Sequence, residues 1–420
     1  MGIQSDDGRG RAGGLGAAGV AVTLAGVFVN GLAYVVPVLG ARHLPPAELS
    51  ALATLLALGA IGGVASTGLQ IAVAVHRARH GPASTARPTV LAVVVTAALL
   101  AVVLPVATSQ LRLTAPAVLL LGVLTVAVVA AGRWLGELQG DQRFLRLAGA
   151  MALLAAGRYG GMIAGLALGG GLTGALLAGA VTSILVLALL VRLNRGAGLD
   201  PLAPALATRT VLTASGATLA MLVVSYADLL LARRFLPPDA SGTYAVGTVL
   251  TKGALWAPQV VTVIALPRLA RGDRRTLRTA LALVGAAGGV LVLATMLAGG
   301  LAFTLAGGPE YTTHGRYAPL FAATGALYAL IFVLVNARVA ASTRWPSAPL
   351  WTATGGFLVA VATVVPHTVA GIAGAALATA AVTAVATGVL TIRREEDTPP
   401  TSTRPPPSVT SGSRDTLQGG

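Results

Sequence analysis

The chain has 420 residues, 55% of them hydrophobic and only 10% charged, with a mean hydropathy of +0.81. A water-soluble protein carries about a quarter of its residues as charges, so this composition excludes a surface wetted all round and makes lipid the outer solvent. The formal charge of +15 comes from basic residues set between apolar runs, which read as topology determinants beside anionic headgroups and not as a nucleic-acid surface.

Apolar runs of about twenty residues, each able to cross roughly 30 Å of hydrocarbon as a helix, recur along the whole chain. They predict twelve transmembrane helices, near 14–40, 49–75, 88–107, 116–136, 145–168, 172–193, 210–235, 243–266, 277–306, 317–341, 347–366 and 368–392. Strand-like alternation is absent, which favours an all-α polytopic bundle over a barrel. The first run is too long for the roughly 7–15 residue core of a signal peptide and reads as an uncleaved span. Residues 1–13 then form an N-terminal segment, 14–193 a first six-helix lobe, 194–209 a linker and 210–392 a second lobe. The stretch 393–420, rich in Pro, Ser, Thr and Gly, is expected to be a disordered tail.

Sixteen arginines fall in one set of connections and five in the opposite set. The positive-inside rule therefore predicts a plasma or inner membrane protein with both termini and the linker in the cytoplasm. The chain also repeats itself: Arg42, Leu44, Pro45, Pro46 and Ala53 recur as Arg234, Leu236, Pro237, Pro238 and Ala245, always 192 residues later. Each copy ends one span, turns at a Pro-Pro pair and begins the next. A six-plus-six duplication explains this, and since both copies start on the same side, the repeats are parallel and related by an axis along the membrane normal.

Three segments carry a resemblance. ARHLPPAELSALATLLALGAIGGVASTGLQIAVAVHRAR (41–79), GELQGDQRFLRLA (136–148) and YADLLLARRFLPPDASGTYAVGTVLTKGALWAPQVVTVIALPRLA (226–270) resemble polysaccharide-biosynthesis flippases. These belong to the multidrug/oligosaccharidyl-lipid/polysaccharide (MOP) exporter superfamily. The resemblance implies two six-helix lobes around a central cavity that opens alternately to the two faces. It implies a polyprenyl-diphosphate-linked oligosaccharide as cargo, and a polysaccharide polymerase and glycosyltransferases as partners beside the membrane lipids. The sequence holds no additional helix pair of the kind lipid II flippases carry, which argues against a peptidoglycan precursor.

Ionisable side chains within spans mark a pathway or an internal pair. Arg158 lies near the middle of the fifth span, in AAGRYGGM, where a guanidinium could grip a diphosphate by two parallel hydrogen bonds or brace a glycine-rich kink. Asp228 and Lys252, the only lysine of the chain, fall at similar depths on consecutive spans and read as an ion pair or a coupling switch. Lys252, Asn30, Gln70, Gln259 and Asn336 are further candidates for lining a cavity. Glu137 and Asp141 read as local partners of Arg133 or Arg143. The glycine-rich run 169–179 lacks the GK[ST] ending of a phosphate loop and reads as close helix packing or an outer turn. Cysteine is absent and the five histidines are scattered without an HExxH pair, so neither a metal nor another cofactor is expected.

An enzyme is disfavoured, because the outer loops are short and their only acids are Glu48, Asp239 and Glu310. The readings that stay open beside the flippase are two. One is a proton- or sodium-coupled exporter of small molecules, of multidrug or major-facilitator type. The other is a non-transporting scaffold of a polysaccharide assembly machine.

Overall fold

The computed structural model describes residues 7–81, 84–193, 206, 208–256, 274–340, 345 and 347–397. Within them the chain is helical throughout, with no strand. The first lobe holds α1 (Asp7–His43), α2 (Pro46–Gly62, continued past Gly63 as Val64–His80), α3 (Ala86–Ser109) and α4 (Ala115–Gly140). It closes with α5 (Phe144–Ala155, a π-helical turn Ala156–Gly160, then Gly161–Ala167) and α6 (Gly171–Leu193). The second lobe holds α7 (Thr208–Phe235), α8 (Pro238–Trp256), α9 (Arg274–Gly307) and α10 (Ala318–Ala340, after a 3-10 segment Pro309–Tyr317). It ends with α11 (Ala348–Thr363) and α12 (Val369–Asp397).

These twelve helices correspond one to one with the expected spans. Among the described residues, ten candidate spans are long and apolar enough to cross a membrane by length and composition, and 16-residue α11 is a shorter apolar helix. The expected eighth span, 243–266, begins earlier, at Pro238, because a Pro is well placed in the first turn of a helix; its far end lies outside the described residues. So do nearly all of the 194–209 linker and the chain after Asp397. Helix α12 itself runs five residues into the expected tail. Exposed side chains such as Val102, Val290, Leu297 and Val382 cover the outside of the bundle, as lipid-facing positions should.

The neighbour pattern repeats. Helix α1 packs on α5, α2 on α4, α3 on α4, and α6 on α4 and α5. In the second lobe α7 packs on α11, α8 on α10, α9 on α10, and α12 on α10 and α11. Close approach in the first lobe comes from small residues: Cβ atoms at Gly132, Gly136 and Gly140 of α4 would each come within 2.6–2.8 Å of backbone carbonyls of α2. Gly161 and Gly165 of α5 meet the α6 backbone in the same way, and Gly169 and Gly171 turn the chain between them with positive φ. The run 169–179 thus serves an outer turn and helix packing.

The lobes meet mainly through α1 and α2 against α7, α8 and α9. On the half of the bundle away from the termini, one apolar core joins both lobes, including Leu52, Leu55, Leu121, Leu236, Tyr244, Phe303 and Phe321. Toward the face that carries the termini, among the described residues, one cluster lies within the second lobe and another within the first. A small group (Leu69, Ala72, Val73 and Leu206) sits between α2 and the linker, and the second half of α2 packs along α7. The closed seam also carries polar ties. The hydroxyls of Ser50 on α2 and Ser241 on α8 are hydrogen-bonded. Arg233, buried at the end of α7, donates to the carbonyls of Leu111 (2.9 Å), Ala47 (2.9 Å) and Arg112 (3.1 Å). One guanidinium thereby joins the second lobe to two separate chain segments of the first.

Arg233→Met should leave three carbonyls short of a donor and cost about 2–3 kcal/mol, read as a lower melting temperature in detergent. Arg233→Lys should fall between, since an ammonium reaches fewer of the three. An unchanged melting temperature in Arg233→Met would show that water replaces the guanidinium without loss.

Candidate functional site

A cavity of about 130 Å³ lies between the lobes at mid-depth. Its wall is drawn from α1 (Ala33, Tyr34, Pro37), α2 (Ala53, Leu56, Ala60), α5 (Arg158, Tyr159), α7 (Tyr226, Leu229) and α8 (Ala245, Thr248, Val249, Lys252). The wall obeys the repeat. Adding 192 to Tyr34, Pro37, Ala53, Leu56 and Ala60 gives Tyr226, Leu229, Ala245, Thr248 and Lys252. Five pairs of equivalent positions face one space, which therefore sits where the two lobes are related to each other. Pro37 adds a local feature: it has no N–H to give the Ala33 carbonyl one turn earlier, so one backbone hydrogen bond of the continuous α1 is missing at the wall.

Arg158 stands in the π-helical turn of α5. Such a turn inserts one residue into the helix and rotates the later turns against the earlier ones. Here it is pinned by the Thr182 hydroxyl of α6, 2.5 Å from the Gly157 carbonyl. The guanidinium lies 5.2 Å from the centre of the Tyr159 ring. Its Nε is buried without a hydrogen-bond partner. Gly59 of α2 makes room for it, since a Cβ there would come 2.8 Å from Arg158 Nη2.

Lys252 reaches the same cavity from the opposite lobe. Its amine donates to the Ser225 carbonyl (2.6 Å) and Oγ (3.0 Å) and lies 3.4 Å from the centre of the Tyr226 ring. The expected ion pair with Asp228 is not formed. Asp228, 1% exposed, instead accepts the Tyr244 hydroxyl (3.0 Å) and the Leu229 N–H (2.8 Å). The two residues do share a depth along their helices, but Lys252 settles one turn short of the carboxylate, where three neutral groups receive it. Two basic side chains thus line a cavity whose wall contains no carboxylate among the described residues.

The amides fare differently. Gln70 bonds Gln139 (2.8 Å) and ties α2 to α4, and Asn336 donates to Phe332 of its own helix (2.7 Å); neither lines the cavity. Asn30 is half-buried one turn before Tyr34 and is also outside the wall. Gln259 lies outside the described residues. At the terminal face Glu137 pairs with Arg133 as expected (2.8 Å), but the main partner of Asp141 is Arg77 of α2 (2.5 Å), with Arg143 at 3.9 Å. The contributions of Tyr34, Tyr159, Tyr226 and Arg233 had no local sequence signal. The 192-residue repeat could have exposed the first and third together.

No protein-family model matches the chain, and no curated protein sequence matches it. Solved structures do. An inward-facing multidrug resistance MATE family transporter of the MOP superfamily superposes with a TM-score of 0.65 at 14% identity, over 87% of this chain and 94% of that one. Lipid II flippase MurJ in an inward closed conformation gives 0.64 at 14% identity, over 90% and 88%. The eukaryotic MATE transporter AtDTX14 gives 0.60 at 14% identity, over 91% and 99%. At these identities the likeness speaks for the architecture alone: the chain shares the all-helical, multi-pass membrane fold of these structures.

Glycines in this bundle should respond differently to one added methyl group. In Gly59→Ala the clash is with the tip of a flexible side chain and with Leu121 Cδ1 (2.9 Å), so folding should change by less than about 1 kcal/mol while Arg158 is displaced from the cavity. In Gly132→Ala the clash is with the Ser66 backbone carbonyl (2.6 Å), so α2 and α4 must separate and the melting temperature in detergent should fall clearly. Equal losses of stability would refute the distinction.

Proposed function

We propose that this protein is a transporter that carries an anionic, lipid-linked cargo between the leaflets by alternating access, most specifically a polyprenyl-diphosphate-linked oligosaccharide destined for a cell-surface polysaccharide. The observation that carries the reading is the meeting of Arg158 and Lys252, one from each lobe, in a cavity with no lining carboxylate among the described residues. A cation in a low-dielectric site is costly unless its charge is offset. Asp228, outside the cavity wall, offsets part of that cost for Lys252 without forming an ion pair, and an anion entering the cavity would offset more of it for both cations. A guanidinium with a free edge suits phosphate oxygens, which it can bind in parallel pairs. The cavity volume suits a diphosphate group and not a whole glycan, so the sugars and the isoprenoid would extend beyond it.

The arginine distribution argues for termini in the cytoplasm, in a plasma or inner membrane. Polymerase and glycosyltransferase partners belong to this proposal. The small cavity favours one second reading, export of a small organic anion, in which no lipid carrier takes part. Export of cationic drugs is disfavoured by the two basic side chains.

Arg158→Ala should abolish flipping of a fluorescent short-chain polyprenyl-diphosphate saccharide in proteoliposomes while protein quantity in the membrane stays near normal. Arg158→Lys should restore part of it, because charge is kept and bidentate geometry lost. Wild-type flipping in a well-expressed Arg158→Ala variant would falsify the cargo contact. Uptake of small organic anions without flipping would select the second reading. For the orientation, reporter fusions in 194–209 and in the tail should behave as cytoplasmic, and a fusion in 309–315 as external. The reverse pattern would turn the cycle over.

A further inference from the structure

We infer that Ser225 and Tyr226 are positioning residues: they hold Lys252 over a neutral cradle at the cavity wall, short of an ion pair with Asp228, so that its charge is left for the cargo anion. This rests on the anionic-cargo reading above, but its geometry does not. An ammonium has three protons to place. Two are directed at the carbonyl and hydroxyl oxygens of Ser225, and the ring face of Tyr226 lies under the same nitrogen at 3.4 Å. All three groups are uncharged, so they satisfy hydrogen bonding while leaving the positive charge in place. A π face attracts a cation electrostatically, more strongly where water is excluded.

The alternative partner is close. Ser225 and Asp228 are three residues apart on α7 and so share a helix face, and a lysine anchored at the first lies one turn from the second. An ion pair there would neutralise the site and compete with any anion. Asp228 is withheld by the Tyr244 hydroxyl and the Leu229 N–H, and Lys252 is withheld by the cradle. Thr248 and Val249 on α8 and Arg158 and Tyr159 on α5 line the cavity beside it and carry no negative charge; the acid that acts on Lys252 electrostatically is Asp228, outside the wall.

The test uses the fact that the chain has one lysine. Full-length protein made with 13C,15N-lysine in detergent gives one set of lysine side-chain signals, read without any cargo. In wild type and Tyr226→Phe the Cε protons should be shifted upfield by the ring beneath them, and in Tyr226→Leu the shift should vanish. Lysine signals at their ordinary solution positions in wild type would overturn the cradle, whatever the cargo. Binding of farnesyl diphosphate, with farnesol as the uncharged control, is then measured on the same preparations. Tyr226→Leu should weaken it about fivefold or more, Tyr226→Phe less than about twofold, and Asp228→Asn added to Tyr226→Leu should restore most of the loss by removing the competing anion. Unaltered binding in Tyr226→Leu, with Lys252→Met still defective, would overturn the positioning role. A ring-shifted lysine in a wild-type protein that binds neither ligand would leave the cradle standing and overturn the diphosphate cargo.

Discussion

Hydrocarbon offers no hydrogen bonds, so every polar group these helices carry into the bilayer must be answered from within the protein. Most are answered locally. Thr54, Thr125 and Thr248 return their hydroxyls to the carbonyl one turn earlier. Others are answered across the structure, and those answers build it. Arg233 finds three carbonyls on the far side of the seam, Ser66 the Val128 carbonyl of α4, and Gln70 the amide of Gln139. A few are not answered: the hydroxyls of Ser183 and Thr387 are buried without a partner, and so is the Nε of Arg158. Of these three only Arg158 carries a charge and lines the cavity, where Lys252 is held by neutral groups.

What could be read from the sequence and what could not divide along a physical line. Span number, the paired turns at Pro45-Pro46 and Pro237-Pro238 and the two-lobe arrangement depend on apolar length and backbone chemistry, which are local. Depth of a side chain is also local, since each residue adds a fixed rise, and Arg158 and Lys252 stand at the level their sequence positions imply. Azimuth is not local. Residues advance about 100° around the axis, and which neighbour stands there is decided by the packing of other helices. Hence spacing pairs Asp228 with Lys252, while packing gives it to Tyr244. Spacing pairs Asp141 nearby, while packing gives it mainly to Arg77, 64 residues away. Gln70 and Asn336 are plausible cavity residues by depth and face other groups.

Glycine shows the same limit in a second form. The sequence reveals where glycines cluster but not what stands opposite them. At Gly132, Gly136 and Gly140 it is the backbone of α2, and the missing side chain permits helix contact. At Gly59 it is the end of Arg158, and the missing side chain permits a charge to occupy the cavity wall. One residue type serves packing in the first case and recognition in the second. Only the opposing atom distinguishes them.

The repeat supplies the last constraint. Five equivalent pairs face the cavity, yet the pairs are not chemically alike: Tyr34 and Tyr226 match, whereas Lys252 faces the space that Ala60 occupies on the other lobe. The same shift of 192 sets buried Asp228 against Val36, and Arg233 against Ala41. The two copies thus share backbone positions but not charge. The charges of the site come instead from positions the repeat does not relate: Lys252 from one copy of the hairpin and Arg158 from α5. A duplicated scaffold thus encloses a site on its axis, while the side chains that give the site its charge belong to single copies.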